Sequence, residues 1–335
     1  MTLFDATFQP GRRAGLARLA AAVLLALPAA AVQAQVKWDL PSGYGANTFQ
    51  VQNLQWFSEE VAKASGGKLK VTVHAGASLF KANEIKRAVQ AAQTPIGEFI
   101  ISGASNDHPI YGVDSIPFLA TSYAEAKKLH DASRGALDKV LASQGMKLLY
   151  AVPWPPQSLY SAKPVQALSD LKGTRMRAYN PATSKIAELL GAVPVTVQLA
   201  ELPQALATGA VHNFLTSSAS GVDSKLHEHV KHFYAVAAWL PRNAVVVNQK
   251  AFEALDAATQ KALLDTAAAA EARGWKVSEE RDAEYLRELA AKGMSIDPQA
   301  AGLKRELRGI GERMTADWLA QAGADGKAVI DAYRK

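Results

Sequence analysis

The apolar positions of this chain change period along its length, and the changes divide it. Residues 36–40 read as a strand. After the turn Pro41-Ser42-Gly43-Tyr44-Gly45 comes a helix capped by Asn47 or Thr48, with Val51, Leu54, Phe57 and Val61 on one face. Ser65-Gly66-Gly67 stops it. Residues 68–74 alternate Leu69, Val71 and Val73 as a half-buried strand, and residues 83–92 follow as a helix. A strand at 96–102, a helix at 123–143 and a strand at 146–152 complete the first series. Strands separated by helices predict βαβ units and a mostly parallel sheet, with ligands bound beyond the carboxyl ends of the strands.

Trp154-Pro155-Pro156 interrupts the pattern and marks a domain crossover at about residue 154. A second series then begins, with strands at 158–161, 174–178, 193–197 and 211–216 and helices at 181–190 and 202–207. Residues 233–239 and 244–248 read as strands returning towards the first domain. From 259 to 292 helix formers dominate, with only Gly274 interrupting, so one helix of about 45 to 50 Å is expected to run along both domains. Two more helices, at 299–319 and 326–333, close the chain.

The first 34 residues stand apart. Arg12, Arg13 and Arg18 precede an apolar run from Leu19 to Val32, and Val32-Gln33-Ala34 offers a small residue before Gln35. Basic head, apolar middle and small residue read as a secretory signal cleaved near Ala34, because a run this short and alanine-rich does not span a bilayer. The rest is expected to be soluble, exported to the periplasm, and monomeric.

Composition narrows the function. At 335 residues, 49% hydrophobic and 20% charged, the chain can build a substantial core. Cysteine is absent, which removes disulfides, thiolate nucleophiles and sulfur-ligated metals. The formal charge of +6 suits anionic small molecules, but the basic residues are scattered, so no nucleic-acid partner is expected. No Gly-x-Ser-x-Gly, Gly-x-Gly-x-x-Gly, phosphate-loop or His-Glu-x-x-His pattern occurs, so the chain is not read as an enzyme. In His227-Glu-His229-Val-Lys-His232, helical spacing puts only His229 and His232 on one face, and the segment reads as a solvated surface. No metal or cofactor is expected.

One segment carries recognisable chemistry. In Leu171-Lys-Gly-Thr-Arg-Met-Arg-Ala-Tyr-Asn-Pro a strand ends in arginine and passes through Asn180-Pro181 into a helix N-terminus, so a guanidinium and backbone donors are expected to converge on a carboxylate. Arg175 and Arg177 share a side by period, and spacing does not choose between them. Trp154, Tyr160, Trp239 and Tyr44 fall at segment junctions and are expected to wall an apolar cleft.

These stretches resemble a family, the extracytoplasmic solute receptors of TRAP (tripartite ATP-independent periplasmic) transporters, dicarboxylate-receptor type. The resemblance lies in Ser65-Gly66-Gly67-Lys-Leu-Lys-Val, Ile116-Pro117-Phe118, Leu171-Lys-Gly-x-Arg-x-Arg, Leu190-Gly191-Ala192-x-Pro194, Ala205-Leu206-x-Thr208-Gly209 and Phe233-Tyr234. It implies an α/β, two-domain periplasmic-binding-protein-like fold with a central cleft and a long helix spanning both domains. Domain I would hold 35–154 plus about 243–282, and domain II 155–242 plus about 283–335. It also implies an organic-acid ligand delivered to the two membrane subunits of an ion-driven permease.

By position, Arg177 matches the arginine that pairs with the ligand carboxylate. Leu199 falls where family members pack a residue on the ligand, and Ser102 ends a strand lining the cleft. Thr216 replaces a ligand-binding asparagine, and Gln157 or a neighbour stands where some members have a second arginine. With one strong cation left, and Trp154, Tyr160, Phe214 and Trp239 nearby, an apolar or aromatic monocarboxylate is expected. Ser102, Glu98 or the Tyr44 loop would touch it on closure. The competing readings are a receptor that feeds a sensor and a secreted α/β enzyme.

Overall fold

The computed structural model describes residues 35–298 and 300–335; the signal segment expected at 1–34 lies outside the described residues. The first lobe begins with β1 (Val36–Pro41), α1 (Phe49–Ala64) and β2 (Leu69–His74), followed by α2 (Ile85–Gln90), β3 (Ile96–Ile100), α3 (Tyr123–Ser143) and β4 (Met146–Pro153). Thr48 caps α1 by accepting from the Val51 amide, as the sequence suggests, and Ser122 caps α3 through the Glu125 amide.

The second lobe is built on β5 (Ser158–Ser161), β6 (Arg175–Ala178), α4 (Pro181–Leu189), β7 (Val193–Thr196), α5 (Leu202–Ala207), β8 (Asn213–Thr216), α6 (Ser218–Asp223) and β9 (His232–Tyr234). The chain then returns through β10 (Arg242–Asn248) and α7 (Gln249–Glu253) into the long helix α8 (Ala257–Ala291). After it come β11 (Ser295–Asp297) and α9 (Ala301–Arg334).

Sheet direction departs from the mostly parallel expectation. β10 lies antiparallel between β3 and β4, and β5 lies antiparallel to β8 and β9, while β1–β2, β6–β7, β6–β8 and β9–β11 are parallel. The cause is topological. β5 and β10, which cross directly from the opposite lobe, enter the sheet against the run of their neighbours, whereas a strand that follows a helix, β11 after α8 included, enters along it. The expected strand at 233–239 shortens to β9 for a related reason: beyond Tyr234 the chain leaves the sheet to recross.

Two helices tie the lobes together. α8 buries Leu263, Ala267, Ala270, Gly274 and Ser278 along one stripe, spaced by three or four residues, with Thr266 beside it, and then Tyr285 and Leu289. The first part packs with Leu54, Phe57 and Val152, whereas Leu289 packs with Phe214 and Phe233 of the second lobe. At 35 residues it is about 52 Å long. α9 contains the two C-terminal helices expected from sequence, joined across a break at Gly323, where φ is 56° and ψ is −135°. Leu303, Leu307 and Met314 pack in the second lobe, and Trp318, Val329 and Ile330 return to the first. Among the described residues no helix is long and apolar enough to cross a membrane.

Candidate functional site

The carboxyl ends of β1, β3, β6, β7 and β8 open onto one cavity of about 380 Å³ between the lobes. Arg177, Thr216, Leu199 and Gln157 line it from the second lobe and the crossover, and Tyr44, Glu98 and Trp154 from the first. Seven of the residues singled out from sequence therefore meet in one place.

Arg177 is 3% exposed and sits at the third position of β6. Its Nε donates to the Val197 carbonyl at 2.9 Å, which fixes the plane of the fork, and its guanidinium lies 5.0 Å above the Tyr179 ring. Neither Nη makes a hydrogen bond to any described residue, and among the described residues no carboxylate lies within 4.0 Å. Burial without an anion pushes the group down to about 10, so it stays charged at neutral pH. Arg175, the alternative left open by spacing, is exposed and donates to the Gly209 carbonyl.

Glu98 is 1% exposed on β3. Ser42 Oγ donates to its Oε2 at 2.5 Å and Asn243 Nδ2 to its Oε1 at 2.9 Å. Burial pushes its carboxyl up to about 7, against the opposing effect of those two donors. Asn243 organises this wall: its Oδ1 accepts from Trp154 Nε1 at 2.9 Å and from Tyr44 Oη at 3.3 Å. The Tyr44 hydroxyl is raised above its ordinary value, first by burial and then by the Glu98 charge, while Arg177 pulls it the other way.

The remaining polar groups differ in how free they are. Gln157 is occupied, its Nε2 donating to Pro155 O at 3.1 Å and its Oε1 accepting from Tyr179 Oη at 3.2 Å. The Thr216 hydroxyl, on a residue 4% exposed, has no hydrogen-bond partner among the described residues. Lys86 and Asp107 also reach the cavity, but they neutralise each other at 2.6 Å.

Five expected residues stand behind the cavity. Trp239 is buried in the second-lobe core with Leu159, Met176 and Val236, and Tyr160 and Phe214 stack on each other with centroids 4.9 Å apart, so of the aromatic residues expected to wall the cleft only Trp154 and Tyr44 line it. Asn180 and Ser102 bond to each other at 2.8 Å across the lobes instead of lining the cavity. Asn180 also corrects the expected use of the helix end. Its Oδ1 accepts from the Thr183 amide, Thr183 Oγ1 accepts from the amides of Tyr179 and Asn180, and Pro181 has no amide, so the α4 N-terminus is capped from within.

Tyr179 and Asn243 were missed. Tyr179 follows Arg177 by two residues, so the strand period already placed it on the same side. Asn243 bounds an apolar run and carries no signal beyond that. The histidine segment forms a 3-10 turn at Leu226–Glu228 and the start of β9, and among the described residues no group of three or more His, Asp or Glu is placed to hold a metal.

Residues 42–316 match the family model described as bacterial extracellular solute-binding protein, family 7. A Bordetella pertussis extracytoplasmic solute receptor crystallised with pyroglutamic acid is 53% identical, with a TM-score of 0.88 over 89% of this chain and 99% of that one. A TRAP solute-binding protein from an unidentified marine microbe, specific for pyroglutamate, is 43% identical with a TM-score of 0.88 over 90% and 99%. A curated solute-binding protein from Albidiferax ferrireducens is 29% identical over 52% of this chain, which spans 52% of that relative's length.

Proposed function

We infer, since the chain belongs to the bacterial extracellular solute-binding proteins of family 7, the extracytoplasmic receptors of TRAP transporters, that its cleft captures a small organic acid and hands it to a membrane permease. Members of this family are receptors and not enzymes. The observation that carries the reading is the state of Arg177, a buried fork with one nitrogen committed and two without partners. A guest carboxylate would accept both Nη donors, and a charge-assisted pair of this kind contributes roughly 1.5–3 kcal/mol. The free Thr216 hydroxyl supplies a further donor on the same wall.

With Arg177 the one buried cation of the cleft that lacks an anion, and Arg87 lining it only from an exposed position, the guest is read as a monocarboxylate. The pyroglutamate bound by relatives at 53% and 43% identity supports a compact polar acid. The aromatic acid suggested by sequence loses support, because Tyr160, Phe214 and Trp239 are committed to packing. The lobes are taken as 35–154 with about 243–282, and 155–242 with about 283–317, the last turns of α9 joining the first lobe. Closure brings Tyr44 and Glu98 onto the guest, and only interactions that the open form lacks can shift the equilibrium towards the closed one. Export through the segment ending near Ala34 and delivery to a two-subunit, ion-driven permease complete the reading.

A thermal-shift screen over organic acids that includes L-pyroglutamate tests it, since a guest at about 100 times its Kd stabilises by about 2.7 kcal/mol. Calorimetry on the best acid should then give binding about 30-fold weaker or worse for Arg177→Ala. Arg177→Lys keeps the charge but loses the fork and should recover little. Unchanged affinity in Arg177→Ala would overturn the assignment.

A further inference from the structure

We propose that His130, which lies outside the cleft, is a proton-sensitive positioning residue for capture: in its neutral form it seats Arg242, and Arg242 seats the floor of the cleft, so that acid releases the guest. The inference rests on the capture reading above and adds the regulation of that site.

The contacts start at a histidine cut off from solvent. His130 is 2% exposed on α3, and its Nδ1 lies 2.6 Å from Arg242 Nη1. Arginine only donates, so Nδ1 is the bare nitrogen and accepts; the ring proton sits on Nε2, which faces Glu271 Oε1 of α8 at 3.4 Å. Arg242, also 2% exposed, donates from its Nε and from its amide to Asp114 Oδ2, both at 3.0 Å, in the turn at Pro109–Ser115.

Arg242 opens β10, and its neighbours on either side build the cleft. Pro241 lines the cavity, and its carbonyl accepts from the Trp154 amide at 2.8 Å. Asn243 holds Trp154 Nε1, the Tyr44 hydroxyl and Glu98. On the other side, Asp114 Oδ1 accepts from Ser115 Oγ at 3.4 Å, and Ser115 Oγ accepts from Asn180 Nδ2 of the second lobe at 3.4 Å. A displacement of Arg242 therefore reaches the aromatic wall through the strand and the lobe crossing through Asp114.

The charges around the imidazole decide what a second proton does. Arg242 of β10 and Arg134 of α3 face it as cations, Glu271 of α8 faces it as an anion, and Asp114 stands behind Arg242. Glu271 is itself held by Arg134 Nη1 at 3.4 Å and by the Ala151 amide of β4 at 2.8 Å. Burial keeps the imidazole below its ordinary value; Glu271 pulls it up, and Arg242 and Arg134 push it further down. The neutral form therefore prevails at neutral pH, and the second proton arrives only in acid. It lands on Nδ1 and sets N–H against N–H and cation against cation at 2.6 Å. Arg242 cannot give up its own proton, so it turns away, and the start of β10 and Asp114 lose their anchor. The closed form needs that anchor, so guest and proton oppose each other, and each weakens the other by the same factor.

Calorimetry on the intact protein with L-pyroglutamate, whose carboxylate stays ionised at both points, at about pH 7.5 and about pH 5 tests this. Affinity should fall at least about 10-fold between the two, within the usual range of coupling between linked sites. His130→Gln offers Arg242 an acceptor and Glu271 a donor without a titrating ring, and should keep its affinity within about 3-fold over the same interval. Glu98, pushed up to about 7 by burial, is the competing source of a pH dependence. An acid loss as large in His130→Gln as in the parent assigns the effect to Glu98 and overturns the proposal, and so does a parent whose affinity stays flat. Where His130→Gln fails to fold, the parent decides alone. NMR of the imidazole should show His130 taking its second proton about one pH unit lower with the guest bound than without it, the counterpart of an about 10-fold change in affinity. Equal titration in the two states overturns the proposal. Absence of binding at about pH 7.5 overturns capture of such an acid and this proposal together, whereas binding that ignores His130 leaves the capture reading standing.

Discussion

Asn180 reaches across the cleft to Ser102, its Nδ2 2.8 Å from the serine Oγ. The bond joins the cap of α4 to the turn that follows β3, and Asn47 makes a second crossing by donating to the Asp223 carbonyl at 3.2 Å. Residues expected to touch the guest instead hold the two walls against each other.

Removing the latch should weaken capture without touching the anion site. Ser102→Ala leaves Asn180 only the longer contact to Ser115 at 3.4 Å, so the closed form loses about 1 kcal/mol and affinity for the carboxylate guest falls about 5-fold. Calorimetry reads this directly, and an unchanged Kd would show that the crossing contributes nothing to closure.

Gly274 interrupts an otherwise strong helix sequence for a packing reason. A Cβ there would stand 2.4 Å from Val152 Cγ2 and 2.8 Å from Val152 Cγ1, so α8 lies against β4 at a distance that only glycine permits. Gly274→Ala would gain about 1 kcal/mol of helix propensity but overpack the contact by about 1–3 kcal/mol. A net loss of stability in urea denaturation is expected; Gly274→Ala with Val152→Ala should recover part of it.

Asp223 gives the ligand-free protein a pH dependence. The residue is half-buried, its Oδ2 has no partner among the described residues, and burial pushes its carboxyl up to about 7 although Arg281 opposes the shift. A raised carboxyl keeps its proton in the folded state after the unfolded chain has released it. Its contribution is therefore present below about pH 4 and is lost as pH rises through about 7, and Glu98 acts in the same sense. Asp223→Asn, neutral throughout, should match the parent near pH 4 and exceed it by about 1–2 kcal/mol at pH 8. Urea curves across that range that stay parallel would exclude the effect.

Local order was legible wherever one element decided it. The span of α3, the cap at Thr48, the continuity of α8 and the break between the last two helices follow from period, capping residues and glycine. Strand direction was not, because β10 finds β4 across about 90 to 100 residues and β3 across about 145, and nothing in its own seven positions states which way it enters. The anion end of the site was legible because an arginine at a strand end has few other uses. Asn180 was misread, since a residue able to cap its own helix and a helix end open to a ligand look alike in sequence. Trp239 and Tyr160 were placed near the cleft by their position at junctions, but large rings at junctions also fill the cores beneath them.

The span of α8 also governs how this protein comes apart. Its early turns are gripped by Leu54, Phe57 and Val152, and its end is held by Phe214 and Phe233 through Leu289. Loosening either half frays the rod against which the other half leans. The shared rod is therefore expected to couple the melting of the two halves and to leave a protease no durable half-molecule at which to stop.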